Sequence, residues 1–409
     1  MNRDVSRRLI SLDIFRGLTI GAMILVNNLR TWSDSPRFRQ LVHAEWHGCS
    51  LADLIFPFFI FIVGVTTVFS LNRRLKKGES LPRLYKHILT RAGALFFLGL
   101  VTCSWFLVGW LLQSICPPGE TRKSIWAIFL SPPADAKVWF FSLANLRIMG
   151  ILQRIALVYL AVALLVIHTR WRAQALIAGA LLLLYWGLMS LPGFPLQPGQ
   201  DLGAYIDRAL LGEAHLWSTW DPESLLGTLP AIATGLAGAL TGHWLRSDRS
   251  RDRILLGLLL FGVLEVAVGR LWGLVFPLNK FLWTSSYVVY TAGFALIFLG
   301  FWYWLADLRQ MGAIWLQPAV WLGTNPLLAF CGSQLVFIAL HVLYIGTPPQ
   351  HTHLITVISS ALFGENWDVI GQTAWHDPHW PALAWALICL SFWTSLTGLL
   401  YRQRLFLKI

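Results

Sequence analysis

The 409-residue sequence is 56% hydrophobic and only 13% charged, with a formal net charge of +12 and a mean hydropathy of +0.60. Soluble domains carry about a quarter charged residues, so this composition excludes a soluble domain, a disordered chain and a disulfide-rich secreted fold. A nucleic-acid binder does not dilute its basic charge in so much Leu, Phe and Trp. The class that remains is an all-α integral membrane protein, a polytopic helical bundle.

A spanning helix needs roughly 20 mostly apolar residues, and about ten segments qualify. In chain order they are Leu12–Leu29, Leu51–Leu71, Ala92–Ile115, Leu146–His168, Gln174–Pro192, Leu225–Leu245, Ile254–Phe276, Ser286–Leu305, Thr324–Ile345 and Pro381–Tyr401. Before the ninth, Ile314–Leu322 either extends the span or forms a half-helix, and Ile355–Phe363 reads as a short interfacial helix. No signal-peptide cleavage site precedes the first span, which is therefore expected to stay as an anchor. With the N-terminus in the cytoplasm, 20 Lys and Arg fall in cytoplasmic segments and 8 in outer ones. That bias favours this orientation and, with an even number of spans, a cytoplasmic C-terminus. The positive charge is mainly a topology signal, although the basic segment Asn72–Arg91 also suits anionic lipid or a phosphate-bearing cofactor.

The chain reads as one transmembrane domain over residues 1–409. Its long outer loops, 30–49, 116–145, 194–224 and 346–380, are rich in Trp, Pro and aromatics and are expected to pack as lids. No tandem repeat is visible, which counts against a secondary transporter. The five cysteines are scattered, without a metal or disulfide pattern, and read as packing residues.

Charged groups inside spans are costly and mark functional sites by default. Asp13 and Arg16, three apart on the first span, form either a structural ion pair or a cation facing an anionic ligand. Asn27 and Asn28 close the same helix, and His43-Ala44-Glu45-Trp46-His47-Gly48 follows, with Asp53 opening the second span. His, Asn and Asp thus converge at one membrane depth. The order H-x-E-x-H is not the H-E-x-x-H of zinc proteases, and no metal is assigned. The outer histidines His351, His353, His376 and His379 fit no ligand spacing and read as surface loop. Arg147, Gly150 and Arg154 are expected along one helical face with Gln153 beside them. They call for an anion or for the span acids Asp13, Asp53 and Glu265.

At these residues the sequence resembles the heparan-α-glucosaminide N-acetyltransferase family, including bacterial members often labelled NagX-like. The likeness is carried by Ser11–Gly17, His43–Trp46, Ala52–Phe59, Arg147–Ile155, Asp221–Ile232, Pro277–Thr284, Leu322–Asn325 and Phe406–Ile409, in order and over nearly the whole chain. The resemblance implies a multispan acyltransferase that takes acetyl from cytoplasmic acetyl-CoA and gives it to a glucosamine amine on the outer side. It also implies a homodimer in the cell (inner) membrane. The family's active-site His falls on His43 and its partner Asn on Asn27. Eukaryotic members carry an extra luminal domain and a further N-terminal span, and Asn where this chain has His47. Both departures lie on the acceptor side and argue against heparan itself.

The chemistry fits that implication. Imidazole titrates near neutrality, so His43 suits a general base or an acetyl-carrying nucleophile, and both routes stay open. The Asn27 amide suits an oxyanion. Asp53 orients His43, receives the sugar ammonium, or caps its helix. Arg16, Arg91, Arg147, Gln153 and Arg154 are the candidates for the acyl donor's coenzyme A, since guanidinium forks match phosphate oxygens. Trp46, His47, Asp221, Glu223, Asn279 and Lys280 are the candidate sugar contacts. The rivals are an amino-sugar transporter and a passive membrane scaffold.

Overall fold

The computed structural model describes residues 9–29, 36–103, 146–311, 315–342, 344–345, 352–363 and 379–407. The end of the third expected span (residues 104–115), the loop segments 116–145 and 364–378, and His351 and His376 lie outside the described residues.

The fold is an all-α polytopic membrane bundle. Its helices are α1 (Ile10–Leu29), α2 (Leu51–Lys76), α3 (Leu81–Cys103), α4 (Ile151–His168), α5 (Trp171–Met189), α6 (Leu202–Leu211) and α7 (Thr228–Leu245). They continue with α8 (Arg251–Trp272), α9 (Ser285–Trp302, running into a π-turn at Tyr303–Leu308), α10 (Gln317–Thr324), α11 (Pro326–Val342), α12 (Leu354–Phe363) and α13 (His379–Arg402). A two-residue antiparallel ladder joins Tyr344–Ile345 to Thr352–His353.

Among the described residues, eight helices are long and apolar enough to cross a membrane, nine if α10 and α11 form one broken span. The sixth expected span, α7, is a helix of spanning length that is less apolar than these eight. It is rich in Gly, Ala and Thr because it packs against protein: Gly235, Gly238, Ala239 and Gly242 are buried. Backbones meet there, since a Cβ on Gly64 of α2 would stand 1.9 Å from the Gly235 carbonyl oxygen, and one on Gly238 would stand 2.0 Å from that of Phe61. Small residues at such crossings are how membrane helices gain packing without a hydrophobic drive between them.

Several boundaries differ from the expectation. The basic segment Asn72–Arg91 is mostly helix, with only residues 77–80 left between α2 and α3. Long basic side chains reach water while their backbone stays helical, so charge overstates the loop. The expected span Leu146–His168 begins only at Ile151, because Gly150 is extended (φ −168, ψ −176) and halts the helix. Arg147 therefore shares no helical face with Arg154. The ninth span is broken as an α10 half-helix and α11, bent by 82° around Asn325. Pro326 opens α11 where a missing N–H costs nothing.

The end of α1 and the start of α2 lie at one end of the bundle, where the connection between them packs on the first turn of α2. This is the His43 end. The other half of α1 carries Asp13 and Arg16, about 20–24 Å from that end at about 1.5 Å per residue.

Candidate active site

The connection from α1 to α2 delivers His43 onto the first turn of α2. There Asp53 gathers four donors. Its Oδ1 lies 2.8 Å from His43 Nδ1, and its Oδ2 accepts from the backbone N–H of Ala44 (3.1 Å) and Ser50 (2.9 Å) and from the Ser50 hydroxyl (3.0 Å). The Asp53 N–H returns to the Ser50 carbonyl at 3.1 Å. The S-x-x-D spacing is thus a helix-start signal and a histidine clamp at once. Asp53 is nearly inaccessible, with 1% of its side chain exposed, against 16% for His43. The Tyr287 hydroxyl of α9 donates to the Asp53 carbonyl at 2.5 Å.

The segment Pro277–Thr284 closes over the imidazole from the other side. Asn279 is its hub. Its N–H donates to Thr284 Oγ1 (3.1 Å), its Oδ1 accepts from Leu282 N–H (2.9 Å), and its Nδ2 faces His47 Nδ1 (3.3 Å). The turn puts Trp283 in the left-handed region (φ 54), which a tryptophan adopts only under strong tertiary constraint. That constraint is visible. The Trp283 indole N–H donates to Thr234 at 3.1 Å, and its ring lies 5.0 Å from the Arg154 guanidinium. Gly48 (φ 125) donates to the Leu278 carbonyl at 2.8 Å, joining the hairpin to this turn at a conformation that favours glycine.

Lys280 is what this turn presents. Its Nζ stands 3.0 Å from His43 Nδ1, 2.9 Å from Nε2 and 3.7 Å from Asp53 Oδ1. The ammonium is almost equidistant from the two ring nitrogens and so lies over the imidazole, while the Asp53 contact at Nδ1 favours the tautomer that leaves the Nε2 lone pair open. The three side chains form a compact acid, base and cation cluster of low exposure. Around it, Trp46 stacks on Phe281 (5.4 Å, 10° between planes), and Trp220 meets both rings edge-on. The Trp46 indole donates to the Leu196 carbonyl at 2.8 Å. Burial lowers the pKa of His47, and burial with the Asp53 charge pushes the Cys49 thiol up to about 12, so Cys49 supplies no thiolate.

Beside Trp220 lies a second charged group. Arg147 grips Asp221 with both arms of its fork, Nε to Oδ2 at 2.8 Å and Nη2 to Oδ1 at 2.7 Å, and also reaches Glu223 Oε2 at 2.5 Å. Its partners are these loop acids, where the sequence pointed to Asp13, Asp53 or Glu265. Arg154 is fully buried beneath them, donating to the Ser224 carbonyl at 3.3 Å, and Gln153 packs on the close approach of Gly99.

The expected donor-binding residues are thereby divided between the two ends of the bundle. Arg16, at the far end, donates to the Gly323 carbonyl (3.0 Å) and lies 3.6 Å from Asp13, while Arg91 stacks over Tyr159 at 4.8 Å. One phosphate group cannot use both sets. Asn27 is half-buried in the last turn of α1, and Asn28 turns back to its own helix at the Ile24 carbonyl (2.8 Å). No group of three His, Cys, Asp or Glu among the described residues is placed to hold a metal ion. Ser50, Trp220, Phe281 and Tyr287 are site residues the sequence reading passed over. Only Ser50 had a local signal, its capping spacing to Asp53.

Asp207 of α6 gives this end a pH response. Its Oδ1 accepts from Leu225 N–H at 3.0 Å, while its Oδ2 is buried without a hydrogen-bond partner among the described residues. Burial, then the nearby Asp221 charge, pushes its carboxyl up to about 6. A folded pKa above the unfolded value near 3.9 means that stability is full below about pH 4 and is lost as pH rises through about 6. Melting midpoints between pH 4 and 7 are expected to fall in the wild type and to flatten in Asp207→Asn. Parallel curves would remove Asp207 as the cause.

A family model described as "Heparan-alpha-glucosaminide N-acetyltransferase, catalytic" matches residues 8–113, the stretch that holds His43 and Asp53. The chain is 25% identical over 463 aligned residues to heparan-alpha-glucosaminide N-acetyltransferase of Homo sapiens, covering 98% of this chain and 60% of that protein. The Mus musculus protein of the same name is 25% identical over 468 residues, covering 100% and 61%. The chain therefore spans about three-fifths of the length of these curated relatives. The match runs from end to end through the helices that build the His43 cluster, so over its whole length the chain is similar to these heparan-alpha-glucosaminide N-acetyltransferases.

Proposed function

We propose that the chain is a multi-pass membrane acetyltransferase that moves an acetyl group from acetyl-CoA, entering from the cytoplasmic Arg16 end, to the amine of a glucosamine-type sugar at the outer His43 end. The observation that carries this reading is the His43 imidazole, held by Asp53 through Nδ1 with the Lys280 ammonium against both ring nitrogens. The similarity to these acetyltransferases supports it, and so does the supply of Arg73, Arg74, Lys76, Lys77, Arg83 and Lys86 around the α2–α3 turn, which suits the donor's phosphates.

In this mechanism the acceptor amine moves Lys280 off the imidazole, takes the place beside Nε2 and attacks the thioester carbonyl. His43 takes the amine proton as the C–N bond forms. Lys280, moved aside, lies next to the oxyanion, with the Asn27 amide as a second donor. Collapse breaks the C–S bond, and the proton held by His43 goes to the departing thiolate. Arg147 is committed to Asp221 and Glu223, so these three shape the acceptor side by position rather than by contact with phosphate. The protein acts as a homodimer in the cell membrane.

The broken α10–α11 span is the observation that favours transport, since interrupted helices line many transporter sites. Incubating purified protein in liposomes with labelled acetyl-CoA and glucosamine separates the two. N-acetylated sugar is the expected product. Sugar uptake without any loss of thioester, for several amino sugars, would replace transfer by transport.

A further inference from the structure

The place that an acceptor amine must take beside His43 is already held by an amine of the protein. Lys280 Nζ stands 2.9 Å from His43 Nε2 and 3.0 Å from Nδ1. The turn that carries it is fixed. The Lys280 carbonyl accepts from Trp283 N–H at 3.2 Å, Asn279 beside it is buried, and the Lys280 side chain is only 17% exposed. Asp53 Oδ1, 3.7 Å from Nζ, favours the ammonium form. The other lysines among the described residues are Lys76, Lys77 and Lys86, all exposed around the α2–α3 turn, at the other end of α2 from Asp53.

An amine held in this way has two properties at once. While the Asp53 charge keeps it protonated, it is no nucleophile. It is also within the range of about 2.6–3.2 Å over which a general base takes a proton. A reacting group fixed beside its base gains a high effective concentration without any binding step.

We propose that Lys280 is a self-acetylation site: with the acyl donor bound and the acceptor absent, His43 directs the acetyl group onto Nζ and the enzyme shuts itself off. The inference rests on the acyl-transfer reading above. The ammonium gives one proton to His43 Nε2, which releases it to water. The neutral Nζ then attacks the acetyl carbonyl. The N–C bond forms, the C–S bond breaks, and a second Nζ proton passes through His43 to the departing thiolate. The products are N-acetyl-lysine, the coenzyme A thiol and one released proton. The new amide carries no charge for Asp53 and leaves an acetyl group against the imidazole, in the acceptor's place. An amide does not pass its acyl group to a second amine as a thioester does, so the block persists. A surplus of donor over acceptor thereby lowers the number of active chains.

The full chain in lipid nanodiscs is given labelled acetyl-CoA without sugar, digested at intervals and analysed by peptide mass spectrometry. Lys280 is expected to gain one acetyl group about tenfold faster than the exposed Lys76, Lys77 and Lys86, the reverse of the order that exposure alone dictates. Transfer activity is expected to fall in step with that label. Glucosamine added with the donor is expected to slow labelling of Lys280 and to leave the exposed lysines unchanged, a comparison made on the wild type alone. In His43→Ala the excess at Lys280 is expected to vanish. Lys280 labelled no faster than the exposed lysines, label there unaffected by both glucosamine and His43→Ala, or full activity at full label would each overturn the proposal. N-acetylated sugar without any label on Lys280 would overturn it and leave the transfer reading standing. His43-dependent label on Lys280 without sugar product would support it and sink glucosamine as the acceptor.

Discussion

Replacing His43 by alanine is expected to lower kcat for acetyl transfer by about 10²–10⁴-fold, the usual range for a positioned general base, with little change in KM for acetyl-CoA. The argument is geometric. His43 is bound at Nδ1 by a carboxylate with 1% of its side chain exposed, and this hydrogen bond sets the tautomer that leaves Nε2 as the acceptor. Removing the ring deletes the proton acceptor but none of the helix packing, because Asp53 keeps its bonds to Ala44, Ser50 and the Ser50 hydroxyl. The variant should elute and melt like the wild type. His43→Gln, which can still donate to Asp53, should be nearly as inactive, separating proton transfer from positioning. Turnover within threefold of wild type in either variant would exclude His43 as the base. If His43 instead carries the acetyl group, wild-type protein quenched early in turnover should hold label, and a neutral acceptor-site substitution should raise that label.

Arg147→Met is expected to be the most destabilising single change at this end of the molecule, about 3–5 kcal/mol, the usual cost of breaking a buried ion pair from one side. Asp221 has 0% of its side chain exposed and Glu223 10%, so neither recovers solvent when the guanidinium is gone. Asp221 also accepts from the backbone N–H groups of Trp217 and Glu223, so the Arg147 pair ties the long segment before α7 to the head of α4. The measurement is the melting midpoint of the solubilised protein, alone and with Asp221→Asn and Glu223→Gln added. The added changes should recover much of the loss, because neutral amides need no cation, and the cycle isolates the coupling. A midpoint unchanged by Arg147→Met would mean that the two acids are already served without it.

How much of this was legible before the structure follows from the range of each interaction. His43 and Asp53 are ten residues apart on one hairpin, and Asp53 with Ser50 carries a helix-start spacing, so this contact was readable from the chain. Lys280 reaches His43 across 237 residues, and Arg147 meets Asp221 across 74. Pairings at such distances leave no local pattern. Composition also misled in one consistent way. It set helix ends where apolar residues stop, whereas α2 continues through Arg73 and Arg74 to Lys76 and α4 starts only after Gly150.

The amino-acid sequence by itself determined that the chain lives in a bilayer and roughly where it crosses. An apolar run long enough to span must satisfy its backbone as helix, whatever surrounds it. The tertiary structure alone decided which charges neutralise one another and which meet at the imidazole. It placed Arg147 and Arg154 at the opposite end from Arg16, brought Lys280 to His43, and broke the ninth span at Asn325. Those outcomes depend on how whole helices pack through Gly and Ala contacts, and side-chain partners follow from that packing.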